Sequence, residues 1–148
     1  MIVKIKKIKP GAHMPERATP GAAGYDLRTC CDENGIPLLP MERAVIPTGL
    51  SIELPGPEYM ALVFARSGRA LHAGLALANG VGVIDSDYRG EVGVVAVNLS
   101  QMPVHVANGE RVAQLVIVPV ALPDMVEVQE ELSSTGRGGG GFGSTGTA

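Results

Sequence analysis

Several features that would assign the chain quickly are scarce or missing. Its 148 residues include only two cysteines, the neighbours Cys30 and Cys31. On a strand they face opposite ways, so no disulfide between them is expected, and a reducing compartment, the cytoplasm, is the expected location. No stretch approaches the roughly 20 apolar residues of a membrane span. Residues 1–9 are broken up by lysines and do not read as a signal sequence. With neither membrane insertion nor secretion expected, the Asn98-Leu99-Ser100 glycosylation acceptor reads as incidental. Positive charge is not in excess either: twelve Lys plus Arg against fifteen Asp plus Glu leave a net charge of −3. No whole-molecule field gathers nucleic acid, so any phosphate binding must be local.

Long helical periodicity is also missing, and eleven prolines argue against a helical bundle. What the chain does have is valine-rich runs of strand length, at residues 51–54, 60–65, 91–99, 111–120 and 125–129. Each is bounded by Gly, Pro, Asn or Asp, the turn formers expected between strands. Many short strands without alternating helices predict an all-β fold, a sandwich, jelly roll or small barrel. One short helix is predicted over residues 67–72, ended by Gly74. After Leu132 the composition turns to Gly, Ser and Thr around a lone Arg137 and a lone Phe142. Such a segment cannot bury enough apolar area to fold alone. The expected organisation is therefore one β domain over residues 1–132 and a flexible Gly-rich arm over residues 133–148.

Three familiar motifs fail on context. Gly141, Gly143 and Gly146 spell the dinucleotide fingerprint, but that motif must open a helix after a strand, and only two residues follow. There is no Gly-Lys-Ser/Thr phosphate loop, and His13, His72 and His105 lack zinc-ligand spacing.

Five polar clusters remain at strand ends and turns: Ala23-Gly24-Tyr25-Asp26-Leu27, Arg66-Ser67-Gly68, residues 82–91, residues 109–115 and residues 137–146. Singly, each has a structural explanation. The Asp85 to Tyr88 stretch reads as a hairpin turn and Arg66-Ser67-Gly68 as a helix start with a serine cap. In this order and at these intervals they resemble the five motifs of the trimeric dUTPase family, from about Ile5 to the C-terminus. Residues 82–91 and Phe142-Gly143-Ser144-Thr145-Gly146 are the most specific. Ala65 and Arg69 depart from the proline and leucine usual in the family; these flanks shape the loop, so they bear on affinity rather than on the reaction.

The resemblance implies a jelly-roll-like distorted β-barrel, a homotrimer with shared active sites, and hydrolysis of dUTP to dUMP and pyrophosphate. It gives Asp85 the role of general base for water attacking the α-phosphate. An ordinary aspartate is already ionised at neutral pH, as that role needs. Asp26 is implied to touch a hydrated Mg2+ through water. Ser67, Gly68 and Gln114 are implied to contact phosphates near the scissile bond, with Arg66 as a neutralising donor, and Arg137, Gly143 and Ser144 to hold the γ-phosphate end. The hairpin running from Asn79 to about Gly93, with Gly82 and Ile84, is implied to read uracil through its backbone. Tyr88 closes the sugar pocket against a 2′-hydroxyl, and Phe142 stacks on uracil when the arm folds over. Arg111 has two readings, a phosphate contact or a carboxylate partner at an interface. Two other functions stay open on the sequence: a dCTP deaminase-related enzyme, and a non-catalytic dUTP-binding regulator.

Overall fold

The computed structural model describes residues 1–142 and Ser144. Eleven strands and one helix follow in order: β1 (Lys4–Lys7), β2 (Tyr25–Arg28), β3 (Ile36–Leu38), β4 (Arg43–Pro47), β5 (Leu50–Glu53), β6 (Tyr59–Ala65), α1 (Ser67–Ala73), β7 (Leu75–Leu77), β8 (Gly82–Ile84), β9 (Gly93–Asn98), β10 (Val104–Val106) and β11 (Arg111–Pro119). They form antiparallel sheets in the orders β2-β11-β6-β8, β4-β9-β7, β1-β5 and β10-β3. Four of the five predicted strand runs coincide with β5, β6, β9 and β11, and the predicted helix with α1. The sheets stop short of a closed barrel, and the arrangement is a distorted jelly-roll-like β fold.

Alternation builds the core. In β6, Ala61 and Val63 turn inward; in β9, Val94 and Ala96 do so; in β5, Leu50 and Ile52. With Leu27, Leu38, Ile46, Val106 and Leu115 they join one apolar cluster to which every sheet contributes. Each fully buried Val, Leu or Ile side chain among them is worth about 1.5–3 kcal/mol. Strand β11 breaks the alternation once. Its register to β2 shifts between Arg111 and Ala113, a bulge that lets Val112 and Ala113 both turn inward. Strict alternation from Ala113 and Leu115 would have aimed Arg111 at the core. The extra residue turns it outward instead, to the face that carries Gln114 and its register partner Asp26.

Helix α1 ends as expected, on Gly74 at φ 65°, whose N–H closes back on the Ala70 and Arg69 carbonyls. A side chain there would run into the Ser100 backbone. The start differs from the serine-cap reading: the N-cap residue is Arg66, without a side-chain cap bond, and Ser67 is already helical. The Ser67 hydroxyl is thus not spent on capping.

Three further expectations meet corrections. Residues 125–129 form no strand, and Met125 and Val126 are largely exposed. Strand propensity is realised only against a partner edge, and beyond Val120 no described residue hydrogen-bonds to the body of the chain. Residues 79–93 are not a ladder-paired hairpin, because β8 pairs with β6 while β9 pairs with β4 and β7. The segment instead crosses from one sheet to another. The glycosylation acceptor is closed by packing: Asn98 is fully buried, its amide nitrogen donating to the Leu38 and Met102 carbonyls and its oxygen accepting from the Ser100 N–H. Cys30 and Cys31 are both free, as expected. Among the described residues, no helix is long and apolar enough to cross a membrane.

Glu91 ties the crossing segment to the N-terminal part of the chain. Its carboxylate accepts from the Gly49 N–H at 2.8 Å and pairs with Lys9 at 2.7 Å. Partial burial pushes this carboxyl up, but the Lys9 ammonium and the Gly49 and Thr48 backbone outweigh it and hold it below its ordinary value of 4.5.

Two outcomes are expected. Asn98→Ala leaves the buried Leu38 carbonyl and the part-buried Met102 carbonyl and Ser100 N–H without their Asn98 partner, and lowers the unfolding free energy by about 2–4 kcal/mol, read from denaturant melts of the variant and the parent. For Glu91, the folded-state value lies below the unfolded one, so its stabilisation is full above about pH 5 and is lost as pH falls through the folded value. The melting-temperature gap between the parent and Glu91→Gln is expected to shrink from neutral pH toward pH 3. A constant gap across that range would show that the pairing does not set the carboxyl.

Candidate active site

The residues singled out in the sequence separate into three groups in space. Asn79, Gly82, Ile84, Asp85 and Tyr88 line one cavity of about 200 Å³, together with Val63, Glu91 and Val95. One wall is β8, the outer strand of its sheet, whose free edge leaves backbone N–H and C=O groups unpaired. Gly82 sits close where β8 pairs with β6: an added Cβ would stand 3.1 Å from the Val63 side chain, so a larger residue would press on it. A turn closes the mouth, the Tyr88 N–H donating to the Asp85 carbonyl, and Arg89 pins it by donating to the carbonyls of Ser86 and Tyr88. The Tyr88 hydroxyl donates to the Glu91 carbonyl at 3.1 Å, and its ring lies where a side chain at residue 90 would be, so Gly90 is what lets it fold there. Asp85 is exposed at this mouth, and among the described residues its carboxylate accepts no hydrogen bond. Its carboxylate oxygens keep free lone pairs beside a small, shaped recess.

The second group is a charged cluster where β6, β2 and β11 meet. Asp26 receives Arg66 Nε on Oδ1 at 2.9 Å and Arg111 Nη1 on Oδ2 at 3.2 Å. Arg66 also donates to the Arg111 carbonyl at 3.4 Å. The carboxylate pairing expected as one alternative for Arg111 is therefore present, within a single chain. The Gln114 amide donates to the Ala65 carbonyl at 3.0 Å, and Gly24 is required beside it, because a Cβ there would come to 2.5 Å from Gln114 Oε1. Ser67 and Gly68 follow Arg66 and are exposed, and nothing lies within 4 Å of where a Gly68 side chain would begin. The protein does not require glycine there for its own packing, and the space is open.

The third group lies on the C-terminal segment. Arg137 Nε donates to the Gly140 carbonyl, Phe142 is fully exposed at φ 49°, and the Ser144 N–H donates to the Gly141 carbonyl. Gly143 lies outside the described residues, as do Thr145 and Gly146 of the same motif. Among the described residues, no hydrogen bond or ion pair joins this group to the others, or the Asp85 cavity to the arginine cluster. What connects those two is β6, with Val63 in the cavity wall and Ala65 under the Gln114 amide.

Sequence reading passed over Glu91, which lines the cavity and anchors its loop, and the Arg69–Glu110 pair at 3.0 Å beside the arginine cluster. Both acids lie inside recognised clusters, so position alone could have drawn attention to them; their partners, far away in sequence, could not be read. A larger cleft, about 340 Å³, is lined by Met1, Val3, Ile5, Met14, Pro15, Tyr25, Leu115 and Ile117. It is apolar and holds neither carboxylate nor cation, so the chemistry points to the smaller cavity despite its size.

Comparison with known proteins agrees with the five clusters. The dUTPase family model matches residues 11–146. The deoxyuridine 5'-triphosphate nucleotidohydrolase of Desulfitobacterium hafniense strain Y51 is 52% identical over 135 residues, covering 91% of this chain and 88% of its own. That of Anaeromyxobacter sp. strain Fw109-5 is 50% identical over 147 residues, covering 97% of both. Among solved structures, the Staphylococcus bacteriophage 80alpha dUTPase with dUpNHpp superposes at a TM-score of 0.88 with 30% identity, covering 99% of each chain. A mutant dUTPase of S. aureus phage phi11, described with a structural Mg(II) ion, superposes at 0.79 with 26% identity, covering 90% of this chain and 100% of its own. With a family match across nearly its whole length and relatives at half identity, this chain belongs to the dUTPase family.

Proposed function

We infer that the chain hydrolyses dUTP to dUMP and pyrophosphate, limiting uracil incorporation into DNA and supplying dUMP for dTMP synthesis. The observation that carries this reading is Asp85, an exposed carboxylate with free lone pairs at the mouth of a base-sized cavity walled by an unpaired strand edge. Uracil and cytosine differ by exchange of a donor for an acceptor on one edge. In this reading the backbone groups of β8 at Gly82 and Ile84, with the Asn79 amide, read that edge, and Tyr88 closes on the sugar; that all four line one cavity supports it. A cavity of about 200 Å³ leaves the triphosphate outside it. Arg66, Ser67, Gly68 and Gln114 supply donors near the scissile bond. Gln114 has one amide N–H left after bonding Ala65. Arg137, Gly143 and Ser144 serve the γ-phosphate, and Phe142 the uracil face, when the arm over residues 133–148 closes. Neither a deaminase nor a non-catalytic regulator gains support from the relatives above.

Mg2+ fits this donor set as a companion of the phosphates rather than in a cage of its own. Among the described residues, no three acids, histidines or cysteines converge. Asp26 keeps lone pairs beyond those its two arginines occupy, and would hold the hydrated ion through water while phosphates fill other positions. When bound, the ion neutralises phosphate charge. The work of activating water stays with Asp85, which takes its proton as the oxygen attacks the α-phosphate.

The separation of the three groups within one chain supports a homotrimer whose sites are assembled from different subunits, in the reducing cytoplasm that the two free cysteines suit. Asp85→Asn is expected to lower kcat by at least about 10²-fold while affinity for a non-hydrolysable dUTP analogue stays close to the parent's. Retention of more than a tenth of kcat would remove Asp85 from its role. A chain lacking residues 134–148 should keep its apo melting temperature and lose turnover. If the Asp85 segment and the arm of one site belong to different subunits, co-refolding these two inactive chains in equal amounts makes about one site in four competent. Background activity in verified mixed trimers would refute the shared site.

A further inference from the structure

Arg69 occupies a position where leucine is usual in the family, and the structure gives it a partner. Its Nε stands 3.0 Å from Glu110 Oε1, with each side chain about 25% exposed. Nε and Nη2 are closed to solvent and have no aligned hydrogen bond, so the attraction is charge on charge. A guanidinium in that position depends on the nearby carboxylate, because neither water nor a neutral acceptor replaces it.

Glu110 is itself held firmly. Its Oε2 accepts from the Ala107 N–H at 3.0 Å, its own N–H donates to Thr29 Oγ1 at 3.1 Å, and its carbonyl accepts from the Thr29 N–H at 2.9 Å. The turn before β11 is therefore fastened to the residue that follows β2, and Arg69 is drawn to a fixed point. On the other side of Ser67 and Gly68, Arg66 is fastened to Asp26 on β2 and to the Arg111 carbonyl. Two cations three residues apart thus clamp the short stretch between them to the same β2–β11 corner, and that stretch is exposed toward open space.

We propose that Arg69, through Glu110, is a positioning residue for triphosphate binding: with Arg66 it fixes the Ser67-Gly68 backbone in the geometry the phosphates meet. The inference rests on the reading that Ser67 and Gly68 contact phosphate. An apolar residue at this position would hold the loop by packing alone; here an ion pair does so, and its two members act as one unit.

The test is a double-mutant cycle on the full-length protein, with KM and kcat for dUTP and the apo melting temperature measured for Arg69→Gln, Glu110→Gln and the pair together. Glutamine at 110 keeps an oxygen for the Ala107 N–H and removes only the charge. Each single change is expected to raise KM about three- to tenfold, with the loss carried by KM rather than kcat, and the double variant to be no worse than the weaker single. Arg69→Lys, which keeps the charge, is expected to recover part of the loss. A fall in melting temperature with KM unchanged would overturn the proposal and leave the pair purely structural. Multiplying effects in the double variant would equally overturn it. Ser67→Ala separates this from the underlying reading: if it leaves both KM and kcat as in the parent, the phosphate loop lies elsewhere. If it impairs the enzyme while Arg69→Gln does not, only the role of Arg69 falls.

Discussion

One carboxylate holds together the charged corner of this molecule. Two guanidinium groups brought together on neighbouring strands repel each other, and Asp26 reconciles them by taking Arg66 on one oxygen and Arg111 on the other. The trio keeps one uncompensated positive charge, so a protein with a net charge of −3 is still locally positive at this corner. The arrangement needs Asp26 and Gln114 side by side on one face, which their pairing in the β2–β11 ladder provides. The backbone ladder comes first, and the charge pattern is built on it.

Strand β6 distributes the chemistry. It lies between β11 and β8, so its Ala61 to Val63 half supports the strand whose free edge faces the Asp85 cavity, and its Ala65 end leads into Arg66 and the exposed Ser67. The Asp85 cavity and the arginine cluster are thus set at different positions along one strand. Asp85 stands on the crossing loop, which is held at one end by β8 and at the other by Glu91 through Gly49 and Lys9.

Legibility in the sequence followed the range of the interaction. Strands such as β6 and β11 show in their valine content and alternation because burial on one face is a local pattern. Helix α1 shows in its closing Gly74, which the left-handed conformation at that residue explains. The five clusters were visible as motifs, and the family match confirms that reading over residues 11–146. Residues 125–129 carry the same strand signal but have no partner edge within the described chain, and sequence pattern does not show whether a partner is in reach. The pairing of β8 with β6 rather than β9 was hidden for a related reason, since adjacency along the chain suggests a hairpin and only packing decides otherwise. The pairs Asp26 with Arg111 and Arg69 with Glu110 join residues 85 and 41 positions apart, beyond any periodicity.

The bulge in β11 has a bearing on how this chain can change over generations. Because the extra residue at Val112 decides which face Arg111 presents, the stretch from the turn at Ala107 to Gln114 has a fixed residue count. Loss or gain of one residue there would exchange inward and outward side chains across the ladder. The run of glycines from Gly138 to Gly141 is under no such parity, since a segment unpaired with any strand has no faces to exchange. Length variation among descendants should therefore accumulate in the arm and be absent from the corner beside Asp26.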